Sequence, residues 1–201
     1  MRITNYISEN KDPSEWKGCL MLSFPKDIAN AIQAWGSAKI PDDVLTGSGR
    51  EKYSHCTVLY GFSQSTAFAD VQDFLVKDQG LVDKSKLKVK LGKVCRFECP
   101  DFDVLHIEVE ECLKLHQLHF ALKDRFEVKT SYPTYRPHAT IAYVKKGACK
   151  ELDGAKLFVG VEAACDQLTY STGPSSSRSR AEINYESFQE RYGRSQKAQL
   201  L

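Results

Sequence analysis

One short pattern, His-x-Thr-x-x-Tyr, is written twice in this chain: in "SHCTVLYGF", beginning at Ser54, and in "RPHATIAYV", beginning at Arg136. Both copies sit in apolar runs of strand length. Side chains alternate along a strand, so His55 and Thr57 share one face while Cys56 and Val58 take the other. His138 and Thr140 likewise oppose Ala139 and Ile141. Upstream of each copy, at nearly the same distance, lies an apolar strand around Leu20 or Leu105, then an amphipathic helix and a loop. Two strand–helix–loop–strand halves resemble a divergent duplication. Their period is far too long for a solenoid. If the halves pack with pseudo-two-fold symmetry, the two His-Thr pairs face each other across a cleft.

The remaining elements follow from local pattern. Gly18–Phe24 is a buried strand; Pro25 opens a helix whose stripe is Ile28, Ile32 and Trp35, with Gly36 marking its end. "PDDVLTGSGREKY" reads as a loop. A second helix runs from a Ser65 cap to Gly80. "KLKVKLGKVCRFECP" alternates like a strand with one wet face. "DVLHIEVE" sets Val104, His106, Glu108 and Glu110 against Leu105, Ile107 and Val109, which puts His106 on the wet side with no catalytic role. "CLKLHQLHFALKDRF" is helical on the Leu115–Leu118–Leu122–Phe126 stripe, and a last strand passes through "AACDQLTYS". The domain division is 1–17 as an extension, 18–172 as the two-lobed body and 173–201 as a polar tail. That tail reads as a linker followed by a short helix near Tyr185–Tyr192, serving as a lid, a dimer contact or a disordered end.

With 201 residues, 42% hydrophobic and 27% charged, the chain can bury a core without staples. A net charge of +2 gives no broad face for long double-stranded DNA. Seven cysteines without framework spacing, a polar start and no apolar run near 18 residues point to a reducing cytoplasm and no membrane span.

A strand carrying an imidazole and a hydroxyl about 7 Å apart is a rigid platform. Two such platforms facing one cleft suit a tetrahedral phosphorus. The hydroxyls can hold non-bridging oxygens, and the imidazoles can divide the proton work. Histidine suits both roles because its ordinary pKa of about 6.5 leaves both protonation states accessible near neutrality. This chemistry calls for no metal and no cofactor.

Paired His-x-Thr motifs, "YSHCTVLYG" and "YRPHATIAYVKKG", resemble the signature of the 2H phosphoesterase superfamily, in particular its phage and bacterial branch. The resemblance spans roughly Gly18 to Thr172. It implies that His55 and His138 are the acid/base pair, in an order left open, and that Thr57 and Thr140 hold the phosphate. It also implies metal-independent activity and an α+β fold: two pseudo-symmetric lobes, with antiparallel sheets lining a central cleft and helices outside. The expected enzyme is a phosphodiesterase that cleaves small cyclic or 2′-5′/3′-5′ oligonucleotide signals in a phage counter-defence role, in the host cytoplasm if phage-encoded. One alternative is an RNA 2′,3′-cyclic phosphodiesterase acting on RNA ends. Another is a binding protein that sequesters a nucleotide without turnover.

Around the motifs, Tyr53, Tyr132 and Tyr135 are candidates for stacking on a nucleobase, or else cap the core edge. Arg50, Lys52 and Arg136 are candidates for meeting substrate phosphate, or else are solvated loop charges. Tyr60 and Tyr143 fall on the face opposite their histidines and read as structural. Cys112, His116 and His119 share one helical face, but without a fourth ligand they read as a boundary pair rather than a metal site.

Overall fold

The computed structural model describes residues 16–77, 87–110, 112–130, 134–165, 167–172 and 179–182. In chain order these form β1 (Trp16–Ser23), α1 (Lys26–Lys39), β2 (Leu45–Arg50), β3 (His55–Ser63), α2 (Phe68–Lys77), β4 (Lys88–Glu98) and β5 (Phe102–Val109). α3 (Leu113–Arg125), β6 (His138–Lys145), β7 (Glu162–Ala164), β8 (Gln167–Thr172) and β9 (Ser179–Glu182) follow. The strands join in the order β7-β4-β5-β6-β3-β1-β8-β9, with β2 also against β6. Every pairing is antiparallel.

The expected duplication is visible in this order. β1 pairs with β3 and β5 with β6, and the two lobes meet where β3 touches β6. Each lobe takes its next strand from the other half of the sequence. β4, which follows β3 in the chain, pairs with β5; β8, which follows β6, pairs with β1. The two lobes therefore share one continuous sheet rather than carrying a sheet each.

Helices and core lie behind this sheet. Cys56, Val58, Ala139 and Ile141 are buried there with Ile32 of α1, Val71 and Leu75 of α2, and Leu115, Leu118 and Leu122 of α3. The helices also cross between halves. Gly36 of α1 lies against Ile141 of β6, where a Cβ would come within 2.8 Å of the Ile141 Cγ2. On α3, the His119 Nδ1–H donates to the Val58 carbonyl of β3 at 2.7 Å.

Three elements differ from expectation. α1 runs through Gly36 to Lys39: that glycine is needed for close approach to β6, and the stop comes from extended Ile40 ahead of Pro41. The expected loop after Pro41 contains β2. Gly47 and Gly49 take positive φ there, and the register slips between Leu45↔Val144 and Arg50↔Ala142, so a glycine-rich stretch follows the sheet edge as an irregular strand. In the tail, Ser179–Glu182 pairs with β8 rather than forming part of a linker. The helix expected near Tyr185–Tyr192 lies outside the described residues, as does the Gly80 end of α2. Among the described residues no helix is long and apolar enough to cross a membrane.

Candidate active site

The junction of the lobes is the single ladder pair Cys56↔Ala139, both residues fully buried toward the helices. In antiparallel register, one step outward on either side sets His55 across from Thr140 and Thr57 across from His138. All four side chains lie half-buried on the face away from the helices. Each histidine thus stands beside the other motif's threonine, and the two histidines are diagonal neighbours, a relation that spans about 7–8 Å between backbones. A pseudo-two-fold axis passes between Cys56 and Ala139.

The rings are fixed alike. The His55 Nδ1 is 2.6 Å from the Tyr53 carbonyl, and the His138 Nδ1 is 2.8 Å from the Arg136 carbonyl. A carbonyl only accepts, so in both rings Nδ1 carries the proton. The remaining nitrogen, Nε2, is then the one that can exchange a proton with a ligand. Burial holds His138 below the ordinary histidine pKa; the Arg136 carbonyl opposes this, and the nearby charge of His55 adds to the depression. His138 therefore favours its neutral, proton-accepting form.

A family model described as the 2′-5′ RNA ligase superfamily matches residues 24–168, which include both motifs. The chain belongs to that superfamily. No curated protein matches it. Among solved structures, E. coli LigT complexed with 3′-AMP is similar at TM-score 0.57 and 13% identity, over 85% of this chain and 96% of that one. TT0787 of Thermus thermophilus gives 0.57 and 13% over 84% and 95%. Kluyveromyces marxianus Usb1 with uridine monophosphate gives 0.52 and 12% over 85% and 98%. At these identities the likeness establishes the fold.

The other sequence candidates of this superfamily member divide by location. Tyr53 and Arg136 occupy matching positions, two residues ahead of their histidines, and supply the carbonyls that hold the rings; both side chains are exposed, Tyr53 at 60%. Tyr135 is tied into the scaffold instead. Its hydroxyl donates to the Thr57 carbonyl at 2.9 Å, and its ring stacks on His119 at 4.0 Å, so it braces β3 from behind the site. Arg50 binds Asp42 and the carbonyls of Ile40 and Gly36, which clamps the end of α1. With Lys52 it lines a cavity of about 230 Å³ that also includes Gln33 and Ile141. Because Ile141 faces away from Thr140, that cavity lies behind the sheet, apart from the His–Thr cluster. Tyr132 lies outside the described residues.

Sequence reasoning missed the flanks of the cluster. His106 was expected on a wet face, yet it is only 4% exposed. The alternation was right and the environment was not, because β5 is an interior strand and this face is walled by neighbours. Its ring stacks on Phe97 of β4 (3.7 Å between centroids, 16° between planes), and both rings meet His138 edge-on, at 5.2 and 5.0 Å. Only knowledge of which strands flank β6 could have found them. On α3, His119 bonds to Val58, His116 packs on Tyr135 and the Cys112 Sγ–H donates to the Lys88 carbonyl at 3.6 Å, so all three residues on that helical face have structural partners.

Proposed function

We propose that the protein is a metal-independent phosphodiesterase acting on nucleotides. The observation that carries this reading is the matched pair of Nδ1-anchored imidazoles, each beside the other motif's threonine hydroxyl. A phosphodiester bound over the Cys56–Ala139 junction takes hydrogen bonds from Thr57 and Thr140 on its non-bridging oxygens. Neutral His138 accepts the proton of the attacking water or ribose hydroxyl through Nε2. His55, protonated, delivers its Nε2 proton to the leaving oxygen. The pair ends the step with its proton exchanged between rings and is reset by solvent. His138 takes the base role because its burial disfavours the cation.

Within this chemistry the substrate class is a small cyclic or 2′-5′/3′-5′ oligonucleotide signal, which fits a phage counter-defence enzyme. The motif forms support this, and so does a net charge of +2, too small for a long nucleic-acid track. Tyr53 and Arg136, exposed at equivalent positions, offer a base-stacking surface on one side and a phosphate-facing cation on the other. The test is a panel of cyclic di- and trinucleotides, linear 2′-5′ oligoadenylate and 2′,3′-cyclic-phosphate RNA, incubated in EDTA and read by mass spectrometry. Cleavage of the small signals supports the proposal. Turnover of the RNA ends alone makes it an RNA-end enzyme. Tight binding with every ligand recovered intact makes it a sequestering protein.

A further inference from the structure

Around the paired histidines, one lobe carries a feature that the other lacks. On β5, His106 lies across from Thr140 on one side and Cys95 on the other, and Glu108 lies across from His138. The His106 Nδ1 reaches back toward the Val104 carbonyl at 3.4 Å, the same two-residue reach that anchors His55 and His138. Its ring is nonetheless buried and sandwiched: Phe97 covers one face, and the His138 ring stands nearly perpendicular to it at 71°. A buried imidazole at such a position is costly unless it stays neutral. Burial, with the nearby charge of His138, lowers its pKa to about 3, so it adds no positive charge beside the site at working pH.

We propose that His106, backed by Phe97, is a positioning residue for His138: the two rings form a neutral wall that fixes the orientation of the His138 imidazole and keeps water from its outer side. The proposal rests on the acid–base reading above. His106 acts only through His138; its own burial keeps it from the substrate. The groups facing His138 are His55 from β3, Glu108 across from it on β5 and Arg136 on its own approach. Behind Glu108, Cys95 of β4 is held as a neutral thiol by burial and by its hydrogen bond to that carboxylate, which push its pKa to about 12. Because His106→Phe keeps a ring of similar bulk across from Cys95, it separates the wall's contribution from that of these groups.

The test is an NMR titration of the His138 ring in His106→Ala, His106→Phe and Phe97→Ala, with kcat/KM–pH profiles alongside. Opening the wall relieves burial, so in His106→Ala and Phe97→Ala the His138 midpoint should move up toward 6.5. The acid limb of the profile should move with it, while His106→Phe keeps both near wild type. If His106→Ala does not fold, Phe97→Ala and His106→Phe still decide the matter. An unmoved His138 midpoint in a folded alanine variant, or a phenylalanine variant that shifts as far as the alanine one, overturns the proposal. The titration reads the ring whether or not any substrate turns over, so a failure of the enzymatic reading leaves this measurement intact.

Discussion

The two lobes put the same pair of side chains, a histidine and a threonine, on the same kind of strand, yet they border them differently. Beside His55 and Thr57, β1 presents Ser23 and Met21; beside His138 and Thr140, β5 presents Glu108 and His106. Ser23 shares a 3.2 Å hydrogen bond with Thr169 of β8, whereas His106 stacks on Phe97 of β4. A symmetric pair of imidazoles would have no reason to divide acid from base. The difference lies in their neighbours, and it teaches that matched strands can sit in unlike surroundings without any change in the motif itself; in the proposed reading, those surroundings are what divides acid from base.

The sharpest way to break this comparison is to remove each imidazole. His55→Ala and His138→Ala should each lower turnover by about 10²–10⁴-fold with unchanged thermal unfolding. Wild-type rates in both variants would end the acid–base reading. Thr57→Val and Thr140→Val should cost less, about 10- to 100-fold each, because each removes one hydrogen bond to a charged oxygen. Steady-state kinetics should place the loss in kcat when the bond tightens in the transition state.

A pH series sharpens the contrast further. The rate should be bell-shaped and unaffected by chelator. Its acid limb should lie below the ordinary histidine value, because the proposed base, His138, must lose its proton and its pKa is depressed. Stability should change in the same direction. His106 titrates near 6.5 when unfolded and near 3 when folded, so across that window the unfolded chain binds the extra proton. Its contribution to stability is complete above about pH 6.5 and is lost as the pH falls, with a slope of up to about 1.4 kcal/mol per pH unit. Denaturant titrations between pH 7 and 4 should show this, with a shallower slope in His106→Phe. The smallest expected effect on rate is on the back of the sheet. Gly36→Ala should cost about 1–3 kcal/mol by pressing on Ile141, with little change in rate.

The repeated motif made both the α+β class and the four central residues legible, since alternation alone puts His55 with Thr57 and His138 with Thr140. The joining of the lobes through Cys56↔Ala139, and the exchange of β4 and β8 between them, carry no local signal, because strand neighbours are fixed by long-range pairing. For the same reason His106 read as solvated, and Tyr135 stayed open between stacking on a base and capping the core edge. The first is closed in between Phe97 of the adjacent strand β4 and His138 of the remote strand β6, and the second is bonded to a carbonyl 78 positions away. Arg50 lay in a stretch read as a loop, and β2 carries it to the end of α1 instead.

The exchange of outer strands has a consequence for biosynthesis. As the chain leaves the ribosome, β1 and β3 emerge early, but β3's partner across the junction and the strand that flanks β1 come only after residue 137. The N-terminal portion must wait with open edges until the rest is made. Either half made alone would leave β3 or β6, and β1 or β5, without a strand it pairs with in the whole chain.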